Sequence, residues 1–214
     1  MILKILYRLF MFRKFRSLPA LILFFCLALS PGADAAGPSA SGTVERFQTK
    51  LLEVMKAAEK LSVQQRFDRL GPTAVKSFHF PLMIQIASGK YWKGATASEQ
   101  IELIKAFKHM SVSTLATLFD GYSGEVFKLS GEKPGPQKTL LVMTKLVKSD
   151  KSTVNITYVT KKIKDDWWII DIVVDTGISE LMVRRSEYNL VLKNKGIPGL
   201  ISLLNRRANE LTSN

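Results

Sequence analysis

Few residues of this chain are placed to do chemistry. It holds two histidines, His79 and His109, and one cysteine, Cys26. A metal ion needs several nitrogen, sulfur or carboxylate ligands close together, and no carboxylate stands at ligand spacing from either histidine. There is no G-x-S-x-G elbow, no phosphate-cradling glycine loop and no cysteine–histidine pair. Asp171 and Asp175 share one strand face, but four strand residues separate them by roughly 13 Å. That is too far for the paired carboxylates of a glycosidase. Asp165 and Asp166 lie between two apolar runs and read as turn residues. A hydrolase would need convergent acid and base groups, and this pattern does not supply them. The sequence points to a protein that is not an enzyme and needs no cofactor.

The N-terminus carries an address. Lys4, Arg8, Arg13, Lys14 and Arg16 precede the apolar run "LPALILFFCLAL" at residues 18–29, and "ADA" follows at residues 33–35. This is the pattern of a cleaved secretory signal, residues 1–35, with Met1 or Met11 as its start. The run is too short to span a bilayer comfortably. Cleavage removes Cys26, so the mature chain has no disulfide and no cysteine-based site. It keeps 26 basic and 17 acidic residues, a net charge of about +9. Such a charge draws anionic surfaces by its long-range field. For an exported protein those are lipid headgroups rather than nucleic acid; a basic surface that serves only solubility fits the charge equally well.

The elements that must position any site follow from periodicity. "GPSASG" makes residues 36–42 a flexible lead-in, and residues 43–211 form one domain. Val44, Phe47, Leu51, Val54 and Met55 recur at helical spacing over residues 43–60. A second helix over residues 62–70 is expected to stop at Gly71-Pro72. Pro81 opens a short helix, and Thr96 with Glu99 forms a capping box for the next. The period then changes. Residues 125–129, 140–147, 153–163 and 167–174 read as strands joined by the turns "GEKPGP", "KSDKS" and "KDD". Short turns argue for an antiparallel meander. Two helices close the chain, one over residues 179–195 and one from about Pro198, with Gly196 between them. The expected fold is α+β: an antiparallel meander of four or more strands, with helices packed on one face and an apolar pocket enclosed.

Trp168, Ile170, Ile172 and Val174 alternate along the last long strand and predict a wholly apolar sheet face. The pattern serves a packed core and a cavity wall equally, because both have the same polarity.

Two segments carry a family resemblance. One is "FHFPLMIQIASGKYWKGATASEQIELIKAF", with Phe78, Met83, Trp92, Ala95-Thr96, Gln100 and Ala106-Phe107 in order. The other is "WWIIDIVVDTGISELMVRRSEY", with Trp168, Ile170, Asp171, Gly177-Ile178-Ser179 and Arg185-Ser186-Glu187-Tyr188. Together they resemble the MlaC-like, or toluene-tolerance, periplasmic phospholipid-binding family. "FDGYSGEVF" at residues 119–127 is similar to its hopanoid-associated HpnM branch. His79, Ser88 and Arg184 depart from the family pattern, which has Asp, Leu and Tyr there.

The resemblance implies a soluble periplasmic carrier of a Gram-negative cell. It would move a phospholipid or hopanoid between the two membranes, with an inner-membrane transporter complex or an RND-type exporter as partner and transient membrane contact. A non-lipid-binding scaffold domain of the same fold is the alternative. For a carrier, the candidates for lining an acyl-chain pocket are Phe78, Met83, Ile86, Trp92, Phe107, Met110, Tyr122, Ile156, Tyr158, Trp168, Ile170 and Ile172. Arg184 and Arg185 are candidates for headgroup contact or docking.

Overall fold

The computed structural model describes residues 39–175 and 177–213, and the expected export signal lies outside them. Side chains fix most helix starts. The Ser39 hydroxyl accepts the Gly42 N–H (3.0 Å) and caps α1 (Ala40–Ala57). The helix thus begins inside the stretch whose glycine and serine content predicts a lead-in. The Ser41 amide is satisfied there by Glu132 of the sheet (2.9 Å). Ser62 with Gln65 and Thr96 with Glu99 make full capping boxes for α2 (Val63–Ser77) and α5 (Ala97–Leu118). Each box satisfies amides that a helix start otherwise leaves unpaired. α3 (Phe80–Ser88) carries Pro81 in its first turn, and α4 (Lys90–Gly94) is a single further turn. α6 (Glu180–Thr212) breaks at Gly196, where φ is 62° and ψ is −165°. Its two segments meet at the expected glycine.

α2 runs through Gly71-Pro72, where the sequence predicts a stop. A proline inside a helix costs about 3 kcal/mol. Continuing the helix buries Ala74 and Ser77 beyond it and delivers Phe78 to the core. Packing against neighbouring elements outweighs the local cost.

The sheet is an antiparallel meander of five strands in chain order: β1 (Val126–Gly135), β2 (Thr139–Val147), β3 (Thr153–Ile163), β4 (Asp166–Val174) and β5 (Ile178–Ser179). Most of "GEKPGP" belongs to β1 rather than to a turn. β1 is an edge strand, and an edge tolerates Pro134. The turn itself is residues 136–138, with Gln137 and Lys138 at φ 54° and 60°. β5 forms where the sequence predicts only a turn, pairing Ser179 with Val173 and Ile178 with Val174.

Register corrects the expected apolar face. Ile169 pairs with Thr160 and Asp171 with Val159, so Ile170 is an extra residue in a β-bulge. The bulge inverts the alternation. Ile172 and Val174 share the helix-facing side with Tyr158 and Ile156, whereas Trp168 pairs with Lys161 on the other side. A single stripe of Trp168, Ile170, Ile172 and Val174 does not exist.

Helices cover one face of the sheet, as the α+β reading requires. α1 crosses the strands. Gln48 Nε2 donates to Thr144 Oγ1 (3.1 Å) and to Tyr158 Oη (3.2 Å), all three residues buried. Phe47 meets Phe78 and Tyr158 edge-on, with ring centroids 4.8 and 6.4 Å away. Phe78 lies beside β4, where the neighbouring His79 amide donates to Ile169 O (3.0 Å). Behind this layer, Phe107 of α5 joins Phe80 of α3 to Tyr188 of α6 through edge-on contacts at 6.1 and 6.5 Å.

Candidate functional site

The candidate lining residues divide by layer. Phe78 and Tyr158 come together around Phe47, between α1 and the sheet. Phe107 sits in the layer of α3, α5 and α6. Phe78, Phe107, Met110, Tyr158 and Ile170 are buried; Met83, Ile86, Trp92, Ile156, Trp168 and Ile172 are half-buried. Trp168 packs edge-on against the His79 ring at 5.4 Å, away from Tyr158. Tyr122 is exposed, with the Lys56 ammonium 5.3 Å from its ring. Sequence reasoning missed the polar centre of this interior. Gln48 stands between Val44 and Leu51 on the apolar stripe of α1, and a lone glutamine on such a stripe is the signal that marks it. Burial pushes the Tyr158 hydroxyl up to about 12, so it stays a neutral hydrogen-bonding group.

A cleft of about 470 Å³ opens elsewhere, between the end of α3, α4 and the first segment of α6. Its floor includes Ala87, Ser88 and Leu192, all buried. Lys90, Arg185, Ser186 and Asn189 line it with charge and hydrogen-bonding capacity. Gly89 makes room for the arginine. Its φ is +57°, and a Cβ there would lie 3.3 Å from Arg185 Nη2. Among the described residues neither Arg185 nor Lys90 forms an ion pair. The Lys90 ammonium lies 5.3 Å from the Tyr91 ring centroid. Two cations without carboxylate partners, beside a hydroxyl and an amide, can hold an anionic group by charge-assisted hydrogen bonds.

The adjacent arginines have different jobs. Arg184 bonds Glu187 across one helical turn (3.2 Å) and is largely covered. Arg185 alone faces the cleft.

Asp171 positions the helix that carries Arg185. Its carboxylate accepts the Ser179 hydroxyl and the amides of Leu181 (2.9 Å) and Ile172 (2.8 Å). β4 is thereby tied to the N-terminus of α6, where the positive end of the helix dipole favours the carboxylate. Glu180 beside it is less well served. Among the described residues its buried Oε1 has no hydrogen-bond partner, and burial pushes its carboxyl above the usual range, opposed by nearby Arg184.

Among the described residues no three His, Cys, Asp or Glu side chains converge as metal ligands. No described helix is long and apolar enough to cross a membrane. The family model described as MlaC protein matches residues 45–206. The chain belongs to the MlaC family. The match runs from within α1 to within α6, so the sheet, the interior and the cleft all fall inside it. Among solved structures, the phospholipid-binding protein from Ralstonia solanacearum in complex with a phospholipid has the same fold. The TM-score is 0.70 at 20% identity, over 80% of this chain and 98% of that one.

Proposed function

We propose that this MlaC-family protein is a periplasmic lipid carrier, with the lipid's acyl chains among the candidate lining residues between helices and sheet and its headgroup in the cleft at Arg185 and Lys90. The observation that carries the reading is the cleft itself. It gathers two cations that have no carboxylate partner among the described residues in one cleft with the buried Ala87 and Leu192. A phosphate-bearing lipid needs such cations beside apolar surface. Burial of each CH₂ contributes about 0.8 kcal/mol, so acyl chains reach a carrier's interior by the hydrophobic effect. The solved relative of the same fold holds a phospholipid, which supports the reading. The export signal read at residues 1–35 supports a periplasmic location. The hopanoid-like segment at residues 119–127 makes a hopanoid the second cargo to test. An inner-membrane transporter complex or an RND-type exporter would be the partner at either end of the journey.

Organic extraction of the purified mature protein, followed by mass spectrometry, tests this. A bound lipid near one per protein is expected. Absence of lipid, together with no uptake from liposomes, leaves a scaffold domain of the same fold as the better reading.

A further inference from the structure

The cleft has a rim that the carrier reading does not use. On α6, residues 182, 186, 189, 190 and 193 fall on one side by helical spacing, and Met182, Ser186 and Asn189 of that row line the cleft. Its outer members are Leu190, 66% exposed, and Lys193, also exposed; Met182 itself is 44% exposed. Across the cleft, Lys90 and Lys93 stand three residues apart on α4, both exposed. Between them lie Tyr91 and Trp92, half-buried. Lys90, Lys93, Arg185 and Lys193 form no ion pairs among the described residues. The carboxylates of this part of α6 do not offset them: Glu187 is bonded to Arg184, and Glu180 is partly buried. α4 carries no acidic residue.

We propose that this rim, α4 together with the Met182–Lys193 side of α6, docks on an anionic lipid bilayer and presses the cleft mouth against the headgroups. The chemistry of the occupant follows from the composition. Lysines on both sides of the mouth match anionic headgroups, and each basic residue near such a surface is worth about 1 kcal/mol. Leu190 and Met182 are apolar side chains at a depth that the headgroup–acyl boundary can receive. A tryptophan and a tyrosine between two lysines suit the same interface. A folded partner of opposite charge would satisfy the lysines, but Leu190 would then need a matching pocket, whereas a bilayer receives it anywhere. The inference deepens the carrier reading by assigning the surface through which lipid enters and leaves.

The test uses residues outside the cleft, so that docking and cargo binding separate. Lys93→Gln/Lys193→Gln and Leu190→Asp proteins are compared with the parent by sedimentation with vesicles of phosphatidylglycerol and phosphatidylcholine, and of phosphatidylcholine alone. The parent is expected to prefer the anionic vesicles and to lose them as salt rises. The double lysine variant should lose about thirtyfold in partition coefficient, and Leu190→Asp should weaken binding even at low salt. Both variants should keep their circular dichroism and their co-purified lipid. Equal partition of parent and variants, or no preference of the parent for anionic vesicles, overturns docking. Binding that appears only when the vesicles carry membrane proteins assigns the rim to a protein partner and also overturns it. Loss of co-purified lipid from the parent would instead strike the carrier reading.

Discussion

The Asp171 carboxylate receives the hydroxyl of Ser179, eight residues later, and the same serine oxygen accepts the Met182 amide (2.9 Å). Strand β4 is thereby fastened to the first turn of α6. Asp171→Ala would leave the Ser179 hydroxyl and the Leu181 amide to compete for water in a half-buried position. A hydrogen bond to a charged group is worth about 1.5–3 kcal/mol net, so a loss of about 2–3 kcal/mol is expected in urea unfolding. Ser179→Ala should cost about 1 kcal/mol, the usual value of an N-cap. The double variant should fall short of the sum, because both changes open one network.

Gly89 carries a backbone demand of its own. With φ at +57° and ψ at −128°, it sits where L side chains are strained. Gly89→Ala should cost about 1–3 kcal/mol and lower the melting temperature by several degrees. The added methyl would stand 3.3 Å from Arg185 Nη2 and push the guanidinium outward. Loss of bound lipid beyond what the stability change explains would identify that displacement. Unchanged lipid content would show that Arg185 has slack.

The two arginines should separate in the same assay. Arg185→Gln removes a cation from the cleft, and extracted phospholipid is expected to fall about ten- to a hundredfold in affinity, the worth of one charge-assisted bond. Arg184→Gln breaks a partly covered ion pair with Glu187 and should cost well under 1 kcal/mol of stability, with cargo unchanged. Mass spectrometry of extracts from both variants decides. Equal loss in the two would argue for general charge rather than a site.

Legibility in the sequence followed the range of the interactions. Thr96 with Glu99, and Gly196, act on their own neighbours, and each marked its element boundary. Pro72 also acts locally, yet α2 continues past it, because Ala74 and Ser77 are buried by elements distant in the chain. The bulge at Ile170 left no trace in "WWIIDIVV", since both phases of that strand are apolar apart from Asp171 and a change of phase barely alters the pattern. Trp168 moved to the other face as a result. Arg185 was legible as a candidate. Its cleft was not, because Gly89 and Lys90 reach it from a segment far away, and nothing in "SGKYW" names its partner.

His79 supplies a pH dependence with a definite sign. Its Nδ1 accepts the Leu82 amide (3.0 Å) at the start of α3, and its ring packs edge-on against Trp168. Burial lowers its pKa below the ordinary 6.5, with a backbone hydrogen bond opposing. The folded protein therefore binds fewer protons at this site than the unfolded chain. Stability is fully present above the ordinary histidine pKa and is lost as pH falls through it towards the folded value. Protonation also destroys the Nδ1 acceptor that caps α3. Glu180 acts in the opposite sense: its raised carboxyl contributes stability at low pH that fades as pH rises through its folded pKa. A variant difference isolates the histidine. His79→Asn or His79→Asp keeps a cap acceptor and should flatten the fall in melting temperature between about pH 7 and 5. If the slope survives in both, His79 is not the group that titrates.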